Sequence, residues 1–574
     1  NALRHILDAF EDVHGLGSLL DVRGTLSDLF EDESDDTGIH ITLGDDPREE
    51  HTLGQILHSL REVVAEHRGA GSFLAQDLQS FIRLLDVLAQ EYDVALMNPP
   101  YGGGGKMPDA VQEYVKEKYE YKANYYVSFF EVCENITKDA GRVGMLIPRS
   151  FLYKGRFTEF RSDFVGTKCG FDFLAEFGLG VLDNATVRTV ASVVRTGNYP
   201  NPTGIFYRIY DLPTEEKESG FINTLSNCET SVQREFTVEL EEFAKIPRTP
   251  ICYSTPPEIR ELYSTEQFID ADQAEIQGKS VGDAVSGLVT GKDSRFVRCF
   301  WETQNEKEFQ PLAYGGSDAW ISPKIQHVVE WGENGSVMKR SSRSVRTPND
   351  EFYGDSGLTW TRIKDTVRRF GYYDGGLFET SSFMIFPEED EILWNLLAAL
   401  NSDLYSSLFL SQTPEKEWDA DVLGCLPWIS NLEDISLLAE IAKEQYQIVV
   451  NQQIRDPTSP YYIRPALHPA SGLRFFYNHP HTEIVERELK LEASGIQLDS
   501  SITEIGRQQR KKQLRQRERL EKLSQRIDQL VFDAVDLSKE SREAARTEIF
   551  LRTSDSLKKR ETPDPEAVPK IPDN

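Results

Sequence analysis

Residues 92–105 of this 574-residue chain read Tyr92-Asp93-Val94-Ala95-Leu96-Met97-Asn98-Pro99-Pro100-Tyr101-Gly102-Gly103-Gly104-Gly105. The apolar run from Val94 to Met97 has no polar alternation, which predicts a strand buried on both faces. Two consecutive prolines end that strand after Asn98, because proline donates no backbone hydrogen bond to a sheet. A polar side chain and an aromatic ring are therefore expected at the carboxyl end of a central strand, where open α/β sheets bind their ligands.

The tetrapeptide Asn98-Pro99-Pro100-Tyr101 combines groups that suit the binding of an amino group. The Asn98 amide oxygen and the Pro99 carbonyl are two acceptors close together, and such a pair orients the hydrogens of an exocyclic amine. Tyr101 offers a flat face to a base that has left its stack. The alternative is a Pro-Pro turn that only ends a strand. The second such pair, in Thr255-Pro256-Pro257-Glu258, has no preceding strand, Asn or aromatic ring, and is predicted to be a loop.

The tetrapeptide resembles the catalytic motif of amino-group DNA methyltransferases, which transfer a methyl group from S-adenosylmethionine to adenine N6. Its longer context is similar to the PglX methyltransferases of BREX phage-defence systems and to type IIG restriction–modification enzymes. The segments that carry this further likeness are Gly15-Leu16-Gly17-Ser18-Leu19-Leu20, Gly102 to Met107 with the helix pattern Tyr114 to Glu131, Gly144-Met145-Leu146-Ile147-Pro148 and Thr290-Gly291-Lys292-Asp293-Ser294-Arg295-Phe296-Val297-Arg298.

The resemblance implies adenine N6 methylation of double-stranded DNA with S-adenosylmethionine as cofactor. It gives catalytic roles to Asn98, Pro99, Pro100 and Tyr101, and it implies that other phage-defence subunits act beside such a protein. A methyltransferase of this type needs a Gly-rich turn for the methionine part of its cofactor and an acid for the ribose. Since no Gly-rich strand–turn–helix unit precedes Asn98 in the sequence, the main cofactor-binding half is expected upstream of Asn1.

The fold class expected from these features is α/β. The chain is predicted to hold the C-terminal half of a doubly wound, Rossmann-like SAM-dependent methyltransferase sheet, then a mixed α/β target-recognition domain and a helical C-terminal region. The predicted boundaries are 1–212 for the catalytic domain, 213–280 for a connector, 281–430 for target recognition, 431–555 for the helical region and 556–574 for a disordered tail.

Hydrophobic periodicity predicts the elements of the catalytic domain after the tetrapeptide. The predicted helices are Asp109–Thr137 and Arg156–Val165, and the predicted strands are Arg142–Ile147, Phe171–Phe177, Val190–Arg195 and Gly204–Tyr210, the last two forming a terminal hairpin. Arg149 and Arg156 follow a strand on the same edge as Asn98, so they are predicted to contact a phosphate of the extruded nucleotide, unless they are simply solvated. Phe151 packs either on the target base or in the core.

Basic residues interleaved with aromatic ones mark residues 281–430, a pattern that suits contact with the DNA backbone and base edges. The alternative is an ordinary β-rich domain with scattered surface arginines. The arginines predicted to contact DNA in this region are Arg295, Arg298, Arg340, Arg343, Arg346, Arg362, Arg368 and Arg369.

The segment from Arg507 to Arg519 holds seven positive residues and one acid, and an apolar helical face begins at Leu520. Such a basic helix is a solvated surface, a partner helix or a DNA clamp, and the sequence leaves these open.

The overall charge runs against a nucleic-acid partner, since 63 Lys and Arg face 94 Asp and Glu, a net charge of −31. Either the protein does not bind nucleic acid, or acids cover the non-binding surface while positive residues cluster locally. Adaptation to a salt-rich cytoplasm is expected and favours the second account, because salt screens both acidic self-repulsion and repulsion of DNA. Six scattered cysteines without a CxxC pair predict reduced thiols and no metal site, and the lack of an apolar leader or span predicts a cytoplasmic protein without membrane contact.

Two further functions remain open at this stage. The same tetrapeptide occurs in methyltransferases that modify RNA or glutamine in proteins, although a large Arg- and Trp-rich second domain has no evident use there. The other alternative is a non-catalytic DNA-binding defence subunit.

Overall fold

A computed structural model of the protein describes residues 91–102, 107–166, 169–182, 187–197, 203–226, 232–303, 308–315, 320–364, 366–453 and 502–553, with a few short pieces elsewhere. The chain divides into two compact units, Asn1–Ala244 and Lys245–Asn574. The predicted tail 556–574 lies outside the described residues.

The first unit is built on a mixed six-stranded sheet in the order β3-β4-β6-β5-β7-β8. Its strands, after the short antiparallel pair His40–Thr42 (β1) and Glu50–Thr52 (β2), are Tyr92–Met97 (β3), Thr137–Pro148 (β4), Cys169–Gly178 (β5), Thr189–Thr196 (β6), Thr203–Arg208 (β7) and Glu235–Glu239 (β8). Its described helices of a full turn or more are Asp109–Lys118 (α1), Tyr125–Asn135 (α2), Thr158–Gly166 (α3) and Lys217–Leu225 (α4). The predicted α/β class is therefore confirmed.

The strand before the tetrapeptide forms where the sequence predicts it, but it is not buried on both faces. β3 lies at one end of the strand order and runs parallel to β4. Ala95 is buried on one face, whereas Val94 is 55% and Leu96 81% exposed on the other. An unbroken apolar run predicts cover on both sides, and the described part of the chain covers only the side of Ala95.

The predicted terminal hairpin is wrong, because β6 and β7 do not pair. β5 lies between them, antiparallel to β6 and parallel to β7. The predicted helix Asp109–Thr137 is also two helices, since Tyr119 adopts an extended conformation and Asn124 begins α2. Both errors concern connections, which local periodicity does not encode.

The first unit also extends beyond the predicted boundary at residue 212. β8, at residues 235–239, pairs antiparallel with β7 and completes the sheet, and the unit ends at Ala244. The connector predicted at 213–280 therefore contributes an edge strand to the six-stranded sheet of the first unit.

The second unit contains two four-stranded sheets, ordered β11-β18-β15-β16 and β12-β14-β13-β17. Its strands are Gln267–Phe268 (β9), Lys279–Ser280 (β10), Gly282–Val285 (β11), Val297–Cys299 (β12), Phe309–Ala313 (β13), His327–Glu330 (β14), Gly357–Thr361 (β15), Phe370–Tyr373 (β16), Leu377–Phe378 (β17) and Ser382–Pro387 (β18). Its helices are Pro257–Glu261 (α5), Asp293–Phe296 (α6), Gly332–Ser341 (α7), Leu393–Leu400 (α8), Asp403–Gln412 (α9), Ala420–Gly424 (α10), Ser436–Gln453 (α11), Ile502–Ala534 (α12) and Lys539–Thr553 (α13). The second Pro-Pro pair thus begins α5 and is not a plain loop.

One core joins the sheets of the second unit to its C-terminal helices. Trp360 and Phe370 of the sheet, Leu404 of α9, and Ile527 and Val531 of α12 belong to the same buried cluster. Burial of each such side chain stabilises the fold by about 1.5–3 kcal/mol. The predicted boundary at residue 430 therefore does not divide two separate hydrophobic cores. Within the described residues, no helix has the length and apolar composition needed to cross a membrane.

Candidate active site and nucleic-acid contacts

The tetrapeptide lies directly after β3, where the strand emerges at the carboxyl edge of the sheet. The Asn98 side chain is exposed, Pro99 is buried and Tyr101 is half-buried. The Tyr101 hydroxyl lies 3.1 Å from Asn98 Oδ1 and 3.1 Å from the Leu146 carbonyl oxygen of β4. Burial raises the pKa of Tyr101 above its ordinary value, so the phenol stays protonated and donates. The Asn98 amide thus faces solvent, with an aromatic ring beside it.

Two hydrogen bonds hold the backbone of Gly102, the residue that follows the tetrapeptide, and we call this pair of bonds the clamp. Asn124, at the start of α2, accepts a hydrogen bond from the Gly102 N–H through Oδ1 at 3.2 Å. The Tyr125 N–H donates to the Gly102 carbonyl oxygen at 3.0 Å. Asn124 is only 8% exposed, so its amide is committed to this contact. The clamp limits the movement of Tyr101 relative to α2.

The segment after β4 forms the neighbouring part of the same edge, and it is held from inside the protein. Arg149 donates to Glu176 Oε1 at 2.6 Å, and both side chains are buried. Arg161 of α3, fully buried, donates to the carbonyl oxygens of Phe151 and Lys154 at 2.7 and 2.8 Å. Two arginines therefore fix the shape of this loop.

These contacts correct the expectation for Arg149 and decide between the two alternatives for Phe151. Arg149 was predicted to contact a phosphate, but its guanidinium is buried against an acid on β5, so we remove it from the DNA-contacting set. Phe151 is fully buried and packs edge-on against Phe160, which gives it a core role. Arg156 remains exposed, with its guanidinium 4.8 Å from the centre of the Phe157 ring.

In the second unit, the segment around Gly291 lies beside the segment around Arg346. Val289 and Arg346 exchange backbone hydrogen bonds of 2.8 and 3.1 Å. Gly291 sits so close to Ser344 that an added Cβ would lie 2.6 Å from the serine hydroxyl, and its φ of +70° also favours glycine. This packing brings the turn before α6 next to the Arg343–Arg346 segment.

The exposed arginines of this surface differ in what holds them. Arg295 lies over the Phe296 ring at 4.9 Å, and Arg340 donates to the Ser336 hydroxyl at 3.3 Å. Arg298 of β12 is half-buried and donates to the carbonyl oxygens of Ser294 and Val297 at 2.9 and 2.7 Å. Arg343 and Arg346 are exposed. This group of side chains is accessible to an anionic ligand.

The remaining arginines serve the protein itself. Arg362 is partly exposed and pairs with Glu417 at 2.7 Å and Asp419 at 2.6 Å. Arg369 is buried over the Trp418 ring at 3.8 Å and donates to several carbonyl oxygens. Arg368 is buried and is described next. The expectation that Arg368 and Arg369 contact DNA does not fit their surroundings, because a buried guanidinium cannot reach a phosphate. Arg362 is partly exposed, and we leave it out of the retained contacts because two acids compete with a phosphate for its guanidinium.

Arg368 belongs to a buried ionic cluster that sequence reasoning missed. Its Nη2 lies 2.8 Å from both Asp403 and Asp528, and Asp403 also pairs with Arg546 at 3.0 Å. The Asp403 N–H donates to Asp528 Oδ1 at 2.8 Å. The cluster ties the segment just before β16 to α9, α12 and α13. No pattern in the sequence indicated that Asp403 and Asp528 would meet. Asn124 was missed as well, although the preference of asparagine for helix starts could have pointed to it.

Residues 49–177 match the family model described as Eco57I restriction-modification methylase. Over 420 residues the chain is 24% identical to the adenine-specific methyltransferase BrxX of Escherichia coli O9:H4 (strain HS), covering 69% of this chain and 33% of that protein. Over 375 residues it is 22% identical to the adenine-specific methyltransferase PglX of Lacticaseibacillus casei (strain Zhang), covering 61% of this chain and 30% of that protein.

Among solved structures, the type IIG restriction endonuclease BpuSI aligns with 73% of this chain and 58% of its own, at 14% identity and a TM-score of 0.29. The predicted resemblance to PglX-type and restriction–modification methyltransferases is confirmed by the family model and the two relatives. The chain spans about a third of the length of the curated relatives that it matches.

Proposed function

We propose that this chain carries the target-base pocket and DNA-contacting surfaces of a site-specific DNA adenine N6-methyltransferase that acts in phage defence. The observation that supports this most is the exposed Asn98 amide at the carboxyl edge of the sheet, with Tyr101 bonded to it. The family match across residues 49–177 includes this segment.

In the proposed reaction the target adenine leaves the duplex, at a cost of a few kcal/mol of unstacking. Its ring lies against Tyr101, and its N6 hydrogens are accepted by Asn98 Oδ1 and the Pro99 carbonyl. This arrangement would leave the N6 lone pair free to bond to the methyl carbon as the carbon–sulfur bond of the donor breaks, leaving a neutral thioether. The extra proton on N6 would then pass to water, since the Asn98 side chain faces solvent. The Tyr101 hydroxyl now donates toward Asn98 Oδ1, so the tyrosine must share or release that acceptor when the base arrives.

S-adenosylmethionine would supply the methyl group on a sulfonium, an electrophile that needs no further activation. The described groups beside Asn98 suit such a donor, because they are neutral acceptors and a protonated phenol, and they include no general base. The Asn98–Pro99 segment is the part of this chain that we expect to contact its methyl end. Positioning then supplies most of the acceleration.

The DNA contacts that we retain are those on accessible side chains. They are Arg156 in the first unit and, in the second, Arg295, Arg298, Arg340, Arg343 and Arg346. Other phage-defence subunits as partners, and a cytoplasmic location, stay part of the proposal.

The proposal is tested by incubating the protein with methyl-labelled S-adenosylmethionine and DNA from a strain without adenine methylation, then digesting the DNA to nucleosides. We expect label in N6-methyladenine. Label in N4-methylcytosine would keep the amine chemistry and change the base. Label in RNA or protein would favour the corresponding alternative, and retention of DNA without label would favour a non-catalytic binding subunit.

A further inference from the structure

The long helix α12 has two halves with different surroundings. In the second half, Leu520, Leu523, Ile527 and Val531 are buried in the core of the second unit. Asp528 is held in the ionic cluster with Arg368. The first half behaves differently, since no residue from 507 to 519 is buried. We call residues 507–519 the basic arm.

Three of the seven positive residues of the basic arm share one face of the helix. Arg507, Lys511 and Arg515 follow one another at steps of four residues, so they lie on the same face. At about 100° per residue that face points roughly opposite to the buried Leu520 and Ile527. All three side chains are exposed.

The same face continues past the arm through Lys522 and Arg526, both exposed, with one exposed acid, Glu518, between Arg515 and Lys522. The span from Arg507 to Arg526 is about 28 Å at 1.5 Å per residue. At the base of the arm, Arg519 makes a two-bond contact with Glu444 of α11, at 2.7 and 2.8 Å, which fixes the direction in which the arm leaves the core.

Packing against the core does not account for the position of the basic arm, as its apolar residue shows. Leu514 is 55% exposed, so burial contributes little there. Arg517 and Arg519 pair with Glu521 and Glu444. The three residues that share one face, by contrast, stand at steps of four residues, where like charges repel one another. A partner that carries regular negative charge removes this repulsion.

We infer that the basic arm contacts the phosphate backbone of duplex DNA without reading its sequence, an inference that rests on the proposed function. Duplex DNA presents one negative charge per about 1.7 Å of its axis, so the three cations on this face of the arm can each meet a phosphate. The arm is already helical and anchored, so binding orders little additional chain. Its contacts add affinity on any duplex, while the surface around Arg343 and Arg346 remains available for reading bases.

The test compares the wild-type protein with the triple variant Arg507→Gln, Lys511→Gln, Arg515→Gln. The matched control is Lys245→Gln, Lys279→Gln, Lys539→Gln, which removes the same charge from exposed lysines elsewhere in the second unit. Affinity for two unrelated 30-base-pair duplexes is measured from about 0.05 to 0.5 M KCl.

We expect the arm variant to lose about tenfold to a hundredfold in affinity near 0.1 M salt, by the same factor on both duplexes. The slope of log affinity against log salt should become shallower by about 2 to 3, whereas the control should stay within about twofold of wild type. The charge-keeping variant Arg507→Lys, Arg515→Lys should bind like wild type. The single variant Lys511→Gln should change the slope by about 0.9 and provides the same readout if the triple variant folds poorly.

Three results would overturn the inference: an unchanged salt slope, a loss of affinity on one duplex alone, or a change of oligomeric state in place of a change in DNA affinity. The last result would point to an acidic protein or a second copy of this chain as the partner. If the wild-type protein binds no DNA at any salt concentration, both the proposed function and the inference about the arm fail. If the wild type binds and methylates DNA and the arm variant equals it, only the inference about the arm fails.

Discussion

Arg343 and Arg346 on one side, and Arg368 and Arg369 on the other, are pairs of arginines in the same unit with very different environments. Arg343 and Arg346 are exposed beside the turn at Gly291. Arg368 and Arg369 are only 2% exposed, one between two carboxylates and the other on an indole ring. The sequence presents both pairs in the same basic and aromatic context.

The difference shows that clustering of basic and aromatic residues does not by itself indicate a nucleic-acid surface. A buried guanidinium requires acids or carbonyl groups that satisfy its donors. For Arg368 those acids are 35 and 160 residues away in the chain. Of the four predictions that follow, the first two test whether the two groups of arginines have the separate roles that the structure gives them. The other two test the contacts around the tetrapeptide.

The largest effect is expected from Arg368→Ala. Removal of this cation leaves Asp528 and Asp403 buried with less compensation, so the free energy of unfolding should fall by about 3–5 kcal/mol. Denaturant unfolding measures the change, and Arg362→Ala, which breaks a partly exposed pair, is the control at about 1 kcal/mol or less. A variant of normal stability that has lost DNA binding would reverse the assignment of Arg368.

The double variant Arg343→Ala, Arg346→Ala should show the opposite behaviour. We expect DNA affinity to fall by about tenfold to a hundredfold, as for the loss of one or two good base or phosphate contacts, with stability within about 0.5 kcal/mol of wild type. Fluorescence anisotropy with labelled duplex gives the affinity and thermal melting gives the stability. Full DNA affinity in this variant would remove the exposed surface from the proposed contacts.

A smaller effect is expected at the clamp beside the tetrapeptide. Asn124→Ala removes the acceptor for the Gly102 N–H and leaves that buried group unsatisfied, which costs about 1–3 kcal/mol. We expect a fall in kcat of about tenfold, because Tyr101 is less well held, with DNA affinity unchanged. Asn124→Asp keeps an acceptor at this position and should recover most of the rate. Equal losses in both variants would mean that the amide acts through another contact.

The smallest effect is expected from Tyr101→Phe, which keeps the ring and removes the hydroxyl. The variant loses the bonds to Asn98 Oδ1 and the Leu146 carbonyl, and it also frees the Asn98 acceptor for the target base. Methyl transfer should stay within about threefold of wild type, while Tyr101→Ala should lose much more because base stacking contributes about 1–3 kcal/mol. Similar rates for the alanine and phenylalanine variants would argue against stacking on this ring.

The parts of the fold that local patterns encode could be predicted. β3, the end of that strand at the prolines, and the strands at 142–147, 171–177 and 190–195 were all found from apolar runs and breaking residues. The insertion of β5 between β6 and β7 was not, because neighbour choice in a sheet depends on contacts far apart in sequence.

The candidate site was predicted in a similar way. The tetrapeptide was identified because its residue types are rare together. The Asn98 side chain is exposed and Pro99 is buried, and the catalytic role of the tetrapeptide stays a prediction. The burial of Arg149 was not foreseen, since its partner Glu176 lies on a strand 27 residues later. The basic arm was visible from its charge, but only the burial pattern of α12 distinguishes its two halves.

The central claim is that Asn98 acts on the target amine and does not serve to hold the DNA. Rates of methyl transfer and DNA affinity measured side by side for Asn98→Ala test this most directly. We predict a loss of methyl transfer of at least about a thousandfold, in the range known for removal of a group that acts in the transition state, with DNA affinity within about threefold of wild type. A variant that still methylates, or one whose DNA affinity falls in parallel with its rate, would contradict the account.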